Sequence, residues 1–91
     1  MNKVNRTQSI SLANGYRFQW EPAQDSHVLL YPEGMVKLNQ TAALILSKID
    51  NERNLDQITQ ELNKQFPGAD IDDDIELFIN TAVEQRWISF S

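Results

Sequence analysis

The chain has no cysteine in its 91 residues. Disulfides, thiolate metal sites and a cysteine nucleophile are therefore excluded, and nothing in the composition argues for an oxidising compartment. Histidine is nearly absent too: His27 stands alone, at the start of an apolar run, where such a residue is far more often structural or superficial than a catalytic base. Glycine and proline number three each, and each glycine is accounted for by a turn or a strand start, which leaves none for a phosphate-cradling loop. No Ser/His/Asp arrangement can be assembled. Long apolar runs are missing, so neither a signal peptide core nor a membrane span is expected, and the default reading is a cytoplasmic protein with no membrane partner.

Basic charge is also scarce, and the acidic excess is local. From Asp70 to Arg86, six acids (Asp70, Asp72, Asp73, Asp74, Glu76, Glu84) face one base, Arg86. That segment carries −5, which equals the net charge of the whole chain. Such a surface repels phosphate backbones. Alternating oxygen ligands invite a calcium reading, but the spacing lacks the central glycine and closing glutamate of an EF-hand, and Ile75 sits inside the would-be loop. Carboxylates that cap free N–H groups at a helix start and complement its dipole explain the cluster better. No cofactor is expected.

What the chain does have is 41% hydrophobic content in regular patterns, enough for one modest core. Residues 1–14 read as a flexible N-terminal segment anchored only by Ile10 and Leu12, and residues 15–91 as the folded domain. Tyr16, Phe18 and Trp20 alternate with Arg17, Gln19 and Glu21, the period-2 pattern of a half-buried strand that Pro22 ends. The run HVLLYPEGMVKLN, His27 to Asn39, reads as a hairpin: two β-prone stretches flank Pro32-Glu33-Gly34, where a type I turn closed by a left-handed glycine is expected. Asn39 then caps a helix with Ala42, Ile45, Leu46 and Ile49 on one face, and Asn51 can take a left-handed position at its close.

Asn54 and Gln57 form a capping-box pattern ahead of a stripe made by Leu55, Ile58, Leu62 and Phe66, which Pro67-Gly68 stops. A third helix opens in Asp70 to Asp74 and carries Ile75, Phe78, Ile79, Ala82 and Val83 inward. Trp87 to Phe90 either adds a last extended stretch or simply packs. The fold class is thus α+β: a three-stranded antiparallel sheet followed by three helices, a winged-helix-like order. That order raises nucleic-acid binding, which a third helix opening on carboxylates argues against.

The last strand, Met35 to Leu38, lies at a sheet edge, and its unpaired backbone groups could accept an added strand from a peptide. A proline at Val36 then abolishes binding if the amide there faces the ligand. On the residues alone, an edge blunted by Lys37 and silent stands beside one that binds, as does a homodimer that covers its own edge.

The runs Tyr16 to Glu21 and His27 to Asn39, followed by Ala42 and the Ile45-Leu46 pair, closely resemble the PqqD family of pyrroloquinoline quinone (PQQ) biosynthesis. The likeness extends through Phe66-Pro67, Phe78 and Trp87-Ile88, and departs at Asn51, where the family commonly has glycine; asparagine tolerates the same backbone conformation. The resemblance implies a non-catalytic peptide chaperone, a leader-recognition element with a winged-helix-like fold. It would bind the precursor peptide PqqA and deliver it to the radical S-adenosylmethionine enzyme PqqE, as a monomer or homodimer. Carried onto this chain, it selects Met35, Val36, Lys37 and Leu38 for strand addition, with Asp74, Leu77, Phe78 and Thr81 as the facing wall.

Overall fold

The computed structural model describes residues 7–90. In chain order it contains β1 (Ile10–Leu12), β2 (Arg17–Glu21), a 3-10 turn (Pro22–Gln24), β3 (Ser26–Tyr31), β4 (Gly34–Lys37), α1 (Gln40–Ser47), α2 (Leu55–Gln65), α3 (Asp72–Glu84) and β5 (Ile88–Phe90). The sheet β2-β3-β4 is antiparallel throughout. With the three helices after it, this is the α+β arrangement the sequence predicts. No helix among the described residues is long and apolar enough to cross a membrane.

Alternation along β2 does what the pattern implies. Tyr16 stacks on Tyr31 with centroids 5.4 Å apart, and Phe18 on His27 at 5.0 Å, so aromatic pairs join adjacent strands on one face. Phe18, Leu29 and Val36 share a row across the sheet. Leu29 is fully enclosed there and belongs to the core with Ile45, Leu46, Leu55, Ile58, Leu62, Ile75 and Ile79. Each such side chain contributes roughly 1.5–3 kcal/mol of burial, most of it offset by chain entropy. The aromatic face outruns the core at its end: Trp20 keeps 48% of its surface exposed, its ring edge on His27. His27 is thereby an aromatic spacer between Phe18 and Trp20.

Four features differ from the sequence expectation. Of the segment read as flexible, residues 1–6 lie outside the described residues, while Ile10–Leu12 pair with Ile88–Phe90 as a two-stranded antiparallel ribbon. Ile10 is fully buried, donates to the Arg53 carbonyl at 3.0 Å and accepts from Asn51 N–H at 3.1 Å, so both its backbone groups are used. Second, Tyr31 pairs directly with Gly34, which makes the hairpin loop the two residues Pro32 and Glu33; Gly34 has φ 157° and opens β4 rather than closing the turn left-handed. Third, α1 ends at Ser47, and Asn51, left-handed at φ 71°, lies in the following loop. Fourth, no side chain caps α3; Asp72 instead accepts from Asn63 Nδ2 at 2.8 Å, tying α3 to α2.

The other two helix starts follow their sequence signals. Asn39 accepts from Ala42 N–H at 2.8 Å, and Asn54 and Gln57 exchange side-chain and backbone bonds of 2.9 Å. Phe66 ends α2 half-exposed before Pro67 and a left-handed Gly68.

Candidate functional site

Strand β4 lies at one end of the sheet, with β3 as its single neighbour among the described residues. The direction of its backbone groups follows from one bond: Leu38 N–H donates to the His27 carbonyl at 3.0 Å. Residues 27 and 38 continue the register that sets Leu29 against Val36, so 38, 36 and 34 are the hydrogen-bonded positions and 35 and 37 the alternate ones. The N–H and C=O of Met35 and Lys37 therefore point to the open side. Val36 turns its amide inward to β3, so the condition under which a proline at Val36 abolishes binding, an amide facing the ligand, is not met. Past Lys37 the edge ends: Leu38 N–H bonds back to His27, and Asn39 caps α1.

Beside this edge runs a groove of about 440 Å³. Its strand side is Val36, Lys37 and Leu38, its floor includes Thr41 and Ala42 from α1, and its far wall is Asp74, Leu77, Phe78 and Thr81. Those four wall positions fall at i, i+3, i+4 and i+7, one stripe of α3, while Ile75, Ile79 and Ala82 fill the neighbouring buried stripe. By strand alternation Val36 and Leu38 share the helix side with Leu29, and Met35 and Lys37 the opposite face. Val36 packs against the core and Leu38 is buried. Of the residues singled out from sequence, Met35 is the one that does not line the groove: it is 45% exposed and contributes backbone alone to this side.

Trp87 completes the wall and was not foreseen as a site residue. It is positioned by the end of α3. Arg86 is left-handed at φ 64°; its N–H bonds the Val83 carbonyl, and Trp87 N–H bonds the Ala82 carbonyl at 2.9 Å. This is the paired-bond termination that glycine usually serves. It reverses the chain so that the indole meets Phe78 at 6.3 Å between centroids and the chain continues into β5. The sequence signal was faint, since arginine rarely marks a left-handed residue.

The charged part of the groove is small. Asp74 and Lys37 are the ionisable residues that line it, Lys37 from a strand position whose side chain alternation sends to the opposite face, and everything else is apolar, hydroxylic or amide. Leu77, 68% exposed, stands on the rim. An open pair of backbone residues, an apolar trough and one carboxylate can hold an extended peptide: the edge supplies up to four main-chain hydrogen bonds, and the trough takes alternate side chains. A separate apolar pocket of about 170 Å³ lies between α1 and α2, lined by Leu44, Leu62, Phe66 and Ile71 among others.

Residues 26–88 match the family model described as Coenzyme PQQ synthesis protein D (PqqD). A protein of Pseudomonas fluorescens (strain Pf0-1) called PqqA binding protein is 55% identical over 86 residues, covering 93% of this chain and 94% of that one. One of the same description from Stutzerimonas stutzeri (strain A1501) is 48% identical and covers 97% of each chain. Among solved structures, the fold is similar to the solution NMR structure of the PqqD truncation of Methylobacterium extorquens PqqCD, described as a functional, stand-alone recognition element for ribosomally synthesised, post-translationally modified peptides. There the TM-score is 0.77 at 24% identity, with 96% of this chain and 95% of that one covered.

Proposed function

This chain belongs to the PqqD family, and from that premise we propose that it is a non-enzymatic, cytoplasmic peptide chaperone of PQQ biosynthesis that holds PqqA as an added strand on β4. The bound segment lies between β4 and α3, hydrogen-bonded to Met35 and Lys37, with alternate side chains against Val36, Leu38, Leu77 and Phe78. PqqA so held is presented to the radical S-adenosylmethionine enzyme PqqE. The relatives named PqqA binding proteins support the choice of peptide.

One observation carries the reading: the sheet edge that is open is also the edge that α3 walls. The far side of β2 is equally unpaired among the described residues, but the groove lies along β4, so a peptide gains side-chain burial only there. The carboxylates in the first turn of α3 weigh against a phosphate backbone in the same place.

Titrating isotope-labelled protein with PqqA tests it. Amide shifts are expected at residues 35–38 and along the groove face of α3. Shifts confined to the β1–β5 ribbon or to α2, with residues 35–38 unmoved, would overturn the assignment of the edge.

A further inference from the structure

The groove contains one carboxylate, and nothing within the described fold answers it. Asp74 is exposed, lies on the groove wall, and has neither an ion pair nor a side-chain hydrogen bond among the described residues. Helix α3 itself carries no lysine or arginine from Asp72 to Glu84. The groove's cation, Lys37, sits on β4 opposite Val28, and alternation directs its side chain to the other face of the sheet. Arg53 is already engaged by Asp50 and Glu61.

Geometry makes this charge a directional feature. Along the wall the order is Asp74, then Leu77 and Phe78, then Thr81, so the carboxylate stands at one end of a helix wall that is otherwise uncharged. An extended peptide beside β4 presents side chains to the trough at every second residue. One of them, at the end where α3 begins, meets Asp74. A lysine or arginine there gains a charge-assisted hydrogen bond to an exposed carboxylate, while a glutamate or aspartate is repelled by Asp74 and by the other first-turn carboxylates.

We infer that Asp74 is a specificity residue: the groove takes an extended segment with apolar side chains at alternate positions and a lysine or arginine at the Asp74 end. The inference rests on the strand-addition reading above. It goes beyond that reading by naming the ligand's charge and the side chain that reads it.

The test uses the intact protein and synthetic PqqA, with dissociation constants measured by fluorescence anisotropy at low and at high salt. Asp74→Asn is expected to weaken binding about two- to tenfold at low salt, with the difference narrowing at high salt. Asp73→Asn removes the same formal charge from α3 at a position that does not line the groove, and is expected to change binding less than twofold. A set of PqqA peptides, each with one lysine or arginine changed to glutamate, is then expected to contain one member that binds the wild type poorly and regains affinity with Asp74→Lys. Circular dichroism checks that each variant folds. Equal effects of Asp73→Asn and Asp74→Asn, or no peptide rescued by Asp74→Lys, overturn the inference while PqqA still binds the groove. If wild-type protein binds no PqqA, the strand-addition reading falls and takes the inference with it.

Discussion

Leu38 N–H donates to the His27 carbonyl at 3.0 Å, and that single bond decides which amides of β4 a peptide can reach. Because hydrogen-bonded and free positions alternate along an antiparallel edge, Val36 belongs to the sheet and Lys37 to the ligand. Proline substitution separates the two. Lys37→Pro is expected to keep the fold and to lose most PqqA binding, because a main-chain donor is gone from the open side. Val36→Pro removes a bond inside the hairpin: the lost bond costs about 0.5–1.5 kcal/mol, and leaving the Leu29 carbonyl unpaired adds about 1–3 kcal/mol. Thermal unfolding and peptide titration of both variants check this. Equal stability of the two, or unimpaired binding by Lys37→Pro, would reverse the assigned register.

Leu77 is 68% exposed on the groove rim, yet it is a large apolar residue with no role in the core. Leu77→Ala is expected to change unfolding stability by less than about 0.5 kcal/mol. Its effect should appear in binding, where covering most of that side chain is worth about 1–2 kcal/mol, or roughly five- to thirtyfold in the dissociation constant. Phe78→Ala should lower both, since Phe78 packs on the core and against Trp87. A Leu77→Ala variant with unchanged affinity would place the peptide elsewhere.

The sequence made β2, the central hairpin and the caps of α1 and α2 legible because each rests on a local signal: alternation, a proline turn, or an asparagine three residues ahead of the amide it caps. The groove wall came instead from the family resemblance: periodicity alone assigns Phe78 inward with Ile75 and Ile79, and it is the resemblance that selects Asp74, Leu77, Phe78 and Thr81, which line the groove on one helical stripe. Non-local geometry was not legible. The strands β1 and β5 are three residues each, too short for alternation to register, and Ser11 meets Ser89 across 78 positions of chain. The amide directions of β4 depend on which residue pairs share hydrogen bonds, and side-chain alternation is blind to that choice. Trp87 entered the site through a left-handed arginine that no propensity marks.

The loop between α1 and α2 is held by charge. Asp50 accepts backbone N–H bonds from Arg53 at 2.9 Å and Glu52 at 3.0 Å, and Arg53 bridges Asp50 and Glu61. The Arg53 amide, then the Glu52 amide, and then the guanidinium charge hold the Asp50 carboxyl below its ordinary value of 3.8. A carboxylate whose folded pKa is depressed favours the fold above its unfolded value, and that contribution is lost as pH falls through the folded value. Unfolding midpoints should therefore fall between about pH 4 and still more acidic solution, and Asp50→Asn should flatten that part of the profile. Carboxyl chemical shifts followed against pH would show the Asp50 midpoint below 3.8; a midpoint at or above that value would contradict it.

Trp87 reaches the groove because α3 ends on a residue that resists the conformation it adopts. Arg86, at φ 64°, makes the left-handed closure that lets Trp87 N–H bond the Ala82 carbonyl. A side chain other than glycine there carries roughly 1 kcal/mol of steric penalty. Arg86→Gly should relieve it, raising unfolding stability by up to about 1 kcal/mol while leaving PqqA affinity within twofold, since the indole keeps its place against Phe78. Arg86→Val opposes the same geometry with a branched side chain, so it should lose stability and binding together. Were Arg86→Val as tight a binder as wild type, the position of Trp87 would not depend on this turn, and its part in the groove wall would have to be held by β5 alone.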